Sequence, residues 1–416
     1  MPPFRRTIIA GLAAILTLLL QAGSLPATET VLAAPAALAG ALRQVRPGTT
    51  LLLPPGDYGP LAARGLGGAP GRPLTLRAAD PADPPVFTGL DLQEPAHLVL
   101  EGLVFDYRFA PGDPEHVRPF AITGGRDVTI RDALFDGDRA RGVSAAADGY
   151  GHGYGLRIGE STDITLERSE IRDFLRGIVV ADSHRVTIRD NDLHDLRSDG
   201  MNFAAVQHVR IEGNVIRDFR TAPDTGDHPD MIQFWTSGTT TPSTDIVIRD
   251  NLLSSGRGSW TQSIFLRNEE VDQGRAGRAM FYRDILIEEN VILNAHIHGI
   301  TLGETAGLTI RGNTLVRNAR SVGGAPSQGI STPMIHVAPT STQVRIERNV
   351  VAQMSGFATQ ADWQVTRNVT VQDRSRAEAG HYSLMFTGDP SDPSSFRYRA
   401  GGPLEGGGLG AKRLQP

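Results

Sequence analysis

The feature that most constrains this chain is a short segment that returns with a spacing close to 22 residues. It reads Val128-Thr-Ile-Arg-Asp-Ala-Leu-Phe, Ile164-Thr-Leu-Glu-Arg-Ser-Glu-Ile, Val186-Thr-Ile-Arg-Asp-Asn-Asp-Leu and Val209-Arg-Ile-Glu-Gly-Asn-Val-Ile. Four more copies begin at Ile246, Ile285, Leu308 and Val344. The starts at 164, 186 and 209 are 22 and 23 residues apart, whereas gaps of 36 to 39 elsewhere hold one repeat plus an insertion. Apolar and polar residues alternate at period two, a turn follows, and a second apolar run resumes, so each unit is built of strands. So small a unit buries its apolar face only by stacking on its neighbours, which makes a solenoid.

A third strand precedes each segment, as in Gly155-Leu-Arg-Ile-Gly, Gly177-Ile-Val-Val-Ala, Gly200-Met-Asn-Phe-Ala, Met231-Ile-Gln-Phe-Trp and Gly299-Ile-Thr-Leu-Gly. Three strands and three turns per coil is the geometry of an all-β, single-chain right-handed parallel β-helix. Asn191, Asn214, Asn251, Asn290, Asn313 and Asn349 share one turn position. Asparagine tolerates left-handed backbone and bonds to nearby peptide groups, so a structural ladder is expected there. The Ala/Leu-rich stretch within 28–46 is expected to form a helix capping the N-terminal end of the core. The domain is expected to run over 28–386, followed by a Gly/Pro-rich tail or closing coil over 387–416.

Arg5 and Arg6 precede an apolar run, Ile8 to Leu20, and then small residues up to Ala27. This pattern predicts a secretory signal over 1–27, hence a secreted or periplasmic protein without a membrane anchor after cleavage. The chain has no cysteine, so stability is expected to rest on burial and hydrogen bonding. Its net charge of −5 lacks the basic field of a nucleic-acid binder. Lys412 is the only lysine, which leaves no lysine base unless the C-terminus reaches the site. A monomer is expected.

The turn before the Gly-Leu-type strand varies most in length, being long at 137–154, 220–230 and 319–333 and minimal at 175–176 and 197–199. Short coils between long-looped ones make a walled trough that suits an extended polymer. Its floor would be Arg157, Val179, Asn202, Gln233, Phe265, Thr301 and His336, with Arg176, Asp199, Asp230, Gln262 and His298 just ahead of them. The densest chemistry is Gly226-Asp-His-Pro-Asp-Met-Ile-Gln-Phe-Trp, flanked by Asp199 and Asn202 on one side and by Trp260, Gln262 and Arg267 on the other. Ile232 and Phe234 are core. Asp227 is as well placed to cap its turn as to do chemistry. His184 and His208 read as structural or solvated, and His152 lies on a trough wall.

The capping stretch, Arg46-Pro-Gly-Thr-Thr-Leu-Leu-Leu-Pro-Pro-Gly-Asp-Tyr and the Asn-bearing coils together resemble the pectate-lyase-like superfamily, and within it the alginate lyases and mannuronan C5-epimerases. The resemblance implies an acidic polysaccharide as substrate, cleaved by β-elimination or epimerised at C5. Both reactions neutralise a uronate carboxylate, remove the C5 proton and return a proton elsewhere. Arg176, Arg267 and Asn202 are candidate neutralisers, His228 or His298 the base, and Tyr154 the acid. Arg157, Asn202, Gln233, Trp235 and Trp260 are candidate substrate contacts. Asp199, Asp227 and Asp230 could gather a Ca²⁺, which takes hard oxygen ligands. The epimerases' Asp-Pro-His does not stand on the strand here, where Met-Asn202-Phe-Ala and Ile-Gln233-Phe-Trp are found, and the Lys-Arg pair of related lyases is missing. Two other readings stay open: a glycoside hydrolase using Asp199 and Asp230 as its carboxylate pair, and a non-catalytic carbohydrate-binding or structural β-helix.

Overall fold

The computed structural model describes residues 28–32, 34–222, 225–321, 331–356, 360–372, 374–378 and 380–416. The expected signal over 1–27 lies outside the described residues, as do 322–330 of one long trough loop. Among the described residues no helix is long and apolar enough to cross a membrane.

Three parallel sheets of 13, 11 and 12 strands run the length of the molecule. The first carries the Val186-type strands, the second the Gly-Leu-type strands, and the third the short run after the Asn turn. Every segment aligned by sequence meets its successor in register, for example Val186 with Val209 and Val209 with Ile246. The core between the sheets is a stack of like on like. Phe105 lies 4.7 Å from Phe135 and Phe203 lies 4.6 Å from Phe234, ring centre to ring centre. Leu98, Val128, Ile164, Val186, Val209 and Ile246 are all buried in one row. Such stacking gives each apolar side chain neighbours of its own shape above and below, close to the density of a protein interior.

The Asn ladder is complete in hydrogen bonds. Asn191 Nδ2 donates to Asn214 Oδ1 at 3.0 Å, and the pattern repeats to Asn251, Asn290, Asn313, Asn349 and finally Asn368. Each amide also donates to a core carbonyl, as Asn251 does to Ile211 O at 2.9 Å. The left-handed residue of this turn is the one before the asparagine, with φ near +57° at Asp190 and +58° at Glu289. The asparagine is there for its side-chain bonds rather than its backbone.

A helix does stand at the N-terminal end, over less of 28–46 than expected. Thr28–Val31 is a strand paired with Thr49–Leu52, and helix is confined to a 3₁₀ turn at Pro35–Ala37 and α-helix at Leu38–Leu42. Ala34 is extended because Pro35 follows it, so the helix starts late. The Gly/Pro-rich tail folds back along the third sheet. Phe386, Phe396, Tyr398, Leu404 and Leu414 bury themselves against Val291, Val316 and Val350. Tyr398 Oη lies 2.6 Å from Thr314 Oγ1, fixing the tail to the coils.

Candidate functional site in the trough

The second sheet forms the floor of the trough, in the order read from sequence. Arg157 pairs with Val179, then Asn202, Gln233, Phe265, Thr301 and His336. One residue row ahead, Tyr154 pairs with Arg176 and Asp230 with Gln262. In a regular strand, residues three apart face opposite sides. Here they touch: Asn202 Nδ2 donates to Asp199 Oδ2 at 3.1 Å, Gln233 Nε2 to Asp230 Oδ2 at 2.8 Å, and His298 Nδ1 lies 3.0 Å from Thr301 Oγ1. The break in alternation falls at the strand opening, which is glycine at 177, 200 and 299 and methionine at 231. A Cβ at Gly177 would stand 2.6 Å from the carbonyl oxygen of Gly200, and one at Gly200 would strike the carbonyl of Met231. Glycine at these positions lets two rows of side chains share one face.

At the middle of the trough Asp199 and Asp230 form a buried pair, 1% and 0% exposed. Asp199 accepts from the Asp230 backbone N–H at 3.1 Å, and Arg176 Nε lies 3.0 Å from its Oδ2. Asn202 Nδ2 also donates to Gln233 Oε1 at 2.7 Å, so two amides link the two carboxylates. Burial raises the affinity of Asp199 for a proton, against the pull of Arg176. Asp230 is pushed well above the usual carboxylate range, first by burial and then by the charge of Asp199. The pair thus favours holding a proton. Asn202 Oδ1, Asp230 Oδ1, Gln262 Oε1 and Trp260 Nε1 are buried with no partner among the described residues. Unmet polar groups of this kind are costly, about 1–3 kcal/mol each, and are kept where something other than stability is at stake.

One end of the trough is cationic. Tyr154 carries the Arg118 guanidinium at 5.9 Å and the Arg176 guanidinium at 5.6 Å from its ring centre, with the His116 ring at 5.8 Å. Arg157 adjoins them on the floor. Glu115, His116 and Arg118 come from a wall loop over 107–118 that carries no repeat signal, and sequence reasoning missed them. That loop is bonded to the strand opening, with Tyr154 N donating to Val117 O at 2.9 Å. The other end carries a cluster of rings. Phe265 meets His298 edge-on at 5.1 Å, and His296 lies 5.2 Å from His298. Burial, with His296 and His336 nearby, lowers the pKa of His298 to about 4.

The sequence-derived candidates therefore divide. Tyr154, Arg157, Arg176, Asp199, Asn202, Asp230 and Gln233 are brought together. His298 stands five coils from Tyr154, roughly 24 Å at the usual strand spacing, too far to serve the same sugar. His228 is exposed and no hydrogen bond to the pair reaches it. Asp227 turns away from Asp199 and Asp230 to Arg197, whose Nε donates to it at 2.9 Å. Arg267 is exposed and bonded to Asp272 at 3.1 Å beside the short helix Glu269–Asp272. That helix and the 236–243 excursion flank the exit end of the floor strands, joined by Thr236 N donating to Glu269 Oε2 at 2.8 Å. Trp235 and Trp260 are half-buried. His152 is buried, 3.0 Å from Pro114 O, and is structural. Among the described residues no group of three or more His, Asp or Glu is arranged to hold a metal ion.

Residues 120–374 match the family described as right handed beta helix region. The chain belongs to the right-handed β-helix family. Among solved structures, this β-helix chain is similar to the Dettilon tailspike protein, with a TM-score of 0.55 and 14% identity over 81% of this chain and 64% of that one. It thus spans less than two thirds of the tailspike. Weaker likenesses include PfbA, a surface adhesin of Streptococcus pneumoniae, at a TM-score of 0.48 and 11% identity over 81% of this chain and 86% of that one. An alginate lyase from Paenibacillus sp. str. FPU-7 follows at 0.37 and 13%, over 82% and 95%. At such identities the likeness is one of β-helix fold. No curated protein matches the sequence.

Proposed function

We propose that this β-helix protein is an enzyme acting on an acidic, uronate-containing polysaccharide such as alginate, and that its reaction begins with removal of the proton at C5. The observation that carries the reading is the cluster at the cationic end, a phenol with the Arg118 and Arg176 guanidiniums and the His116 ring all within 6 Å of its centre. A uronate carboxylate over Tyr154 would meet two guanidiniums, whose charge acidifies C5–H. His116 is the nearest imidazole and takes that proton. The C5–H electrons form the C4–C5 double bond, the C4–O4 bond breaks, and the Tyr154 hydroxyl protonates the departing O4. His116 then returns its proton to the Tyr154 oxygen, resetting both groups. Proton return to the opposite face of C5, without loss of O4, would instead epimerise the sugar. Asp199 fixes Arg176 from below.

The second reading, hydrolysis by Asp199 and Asp230, is favoured by their unequal proton affinities, the pattern of an acid and a base. Their near-zero exposure weighs against it, since a glycosidic oxygen would have to reach a covered carboxyl group. Incubating the protein with alginate, pectate and a neutral glucan separates these readings. Absorbance of an unsaturated uronate near about 235 nm means elimination. Reducing ends without absorbance mean hydrolysis. Proton NMR of unshortened alginate detects epimerisation. The Ca²⁺ requirement expected from Asp199, Asp227 and Asp230 is checked by repeating each assay with EDTA.

A further inference from the structure

Among the described residues Arg197 is the largest side chain buried completely, with 1% exposure, and it lies outside the trough floor. It holds two wall loops at once. Its Nη2 donates to Glu115 Oε1 at 2.8 Å, 82 residues earlier in the chain, and its Nε donates to Asp227 Oδ2 at 2.9 Å. Glu115 Oε2 in turn stands 3.9 Å from His116 Nε2, and His116 faces the Tyr154 ring. Asp227 is further fixed by Thr225 Oγ1 at 2.6 Å and leads directly into the Asp230 strand. A planar guanidinium offers separate donors in a fixed fork, which suits one cation gripping two carboxylates from different directions.

We propose that Arg197 and Glu115 are positioning residues: the buried guanidinium holds the Glu115 carboxylate and with it the wall loop that carries His116 to Tyr154, while its second arm sets the 225–229 wall through Asp227. This rests on the reading of His116 and Tyr154 given above. A loop held at one residue fixes its neighbour, and a misplacement on the order of 1 Å costs about 100-fold in rate. The arrangement makes the two arms separable. Glu115 acts on the proton-transferring end, and Asp227 acts on the wall alone.

Hydrogen exchange and steady-state kinetics on the full chain test this with Arg197→Gln, Arg197→Lys, Glu115→Gln and Asp227→Asn. Glu115→Gln is expected to speed amide exchange over 108–118 only and to lower kcat on the order of 100-fold with little change in KM. Asp227→Asn is expected to speed exchange over 225–229 only and to change KM more than kcat. Arg197→Gln should loosen both segments, and Arg197→Lys, which keeps the charge without the fork, should restore only one. Should Arg197→Gln fail to fold, Glu115→Gln carries the test alone. Unchanged exchange over 108–118 in Glu115→Gln would overturn the proposal. So would a kcat loss in Asp227→Asn equal to that in Glu115→Gln. Exchange needs no substrate, so loosened loops in a protein inactive on uronates would sink the functional reading and leave the positioning roles standing.

Discussion

Two ladders of polar side chains climb this molecule, and they are built to opposite rules. The Asn ladder repeats one residue type, and each inner amide has both its oxygen and its nitrogen bonded, as at Asn251 and Asn290. The ladder at the head of the trough never repeats its chemistry for more than two coils: Tyr154, Arg176, Asp199, Asp230, Gln262, His298. It leaves Asp230 Oδ1 and Gln262 Oε1 buried without partners among the described residues and stacks two carboxylates against each other. Identical coils solve the folding problem the same way each time. Where consecutive coils differ and leave bonds unmade, the selection acting on them is for something besides stability.

The comparison can be broken most sharply at Tyr154. Among the described residues its hydroxyl has only Arg176 Nη1 within reach, at 3.5 Å, so Tyr154→Phe should leave the melting temperature unchanged. The same variant should lower kcat on uronate polymer by roughly 10²–10⁴-fold, the range for loss of a proton-transferring group. Equal loss of stability and activity would place Tyr154 among the structural residues.

The converse experiment is Asn251→Ala. That side chain accepts from Asn214 N and Nδ2 and donates to Ile211 O and Asn290 Oδ1. Denaturant unfolding should show a loss of about 3 kcal/mol or more, because several buried groups lose their partners together. Activity per folded molecule should not change.

Asp230→Asn sharpens the contrast from the side of stability. A folded-state pKa above the unfolded value means that the protonated form is the one the fold favours. The associated stability is fully present below the unfolded value, about 3.9, and is lost as pH rises through the raised folded value. Asparagine cannot ionise. The variant should therefore match the parent near about pH 4 and melt a few degrees higher at about pH 7–8. A variant that melts lower at every pH would show the pair to be a net stabilising contact.

The smallest effect belongs to His298. Its folded pKa of about 4 lies below the usual imidazole value near 6.5, so the unfolded chain takes up a proton first as pH falls. Parent stability should drop between those two values, and His298→Gln should drop less, as thermal melts across that interval would reveal. Its activity on uronates should change little, given its distance from Tyr154. A loss matching that of Tyr154→Phe would move the chemistry to the histidine end.

The coils were legible because stacking writes itself into the chain as a period. Every floor residue from Arg157 to His336 paired as the repeat required. The candidate site was legible only where it shares that period. Asp227 and Arg197 both fall in stretches rich in chemistry, yet nothing periodic tells a carboxylate to turn towards a guanidinium instead of its two neighbours. The wall loop with Glu115, His116 and Arg118 was missed for the same reason: it has no repeat, and it meets Tyr154 only after the coils have stacked. The N-terminal cap was overextended because an Ala/Leu-rich composition reads as helix, while Pro35 and the pairing of Thr28–Val31 decide otherwise.

The central claim is that a uronate carboxylate is received between Arg118 and Arg176 over Tyr154. The direct measurement is a crystal structure of Tyr154→Phe soaked with a uronate hexasaccharide. The account predicts a chain lying along the second sheet with one carboxylate within about 3 Å of both guanidiniums. An oligosaccharide ordered on another face, or with its carboxylates turned away from both arginines, would contradict it.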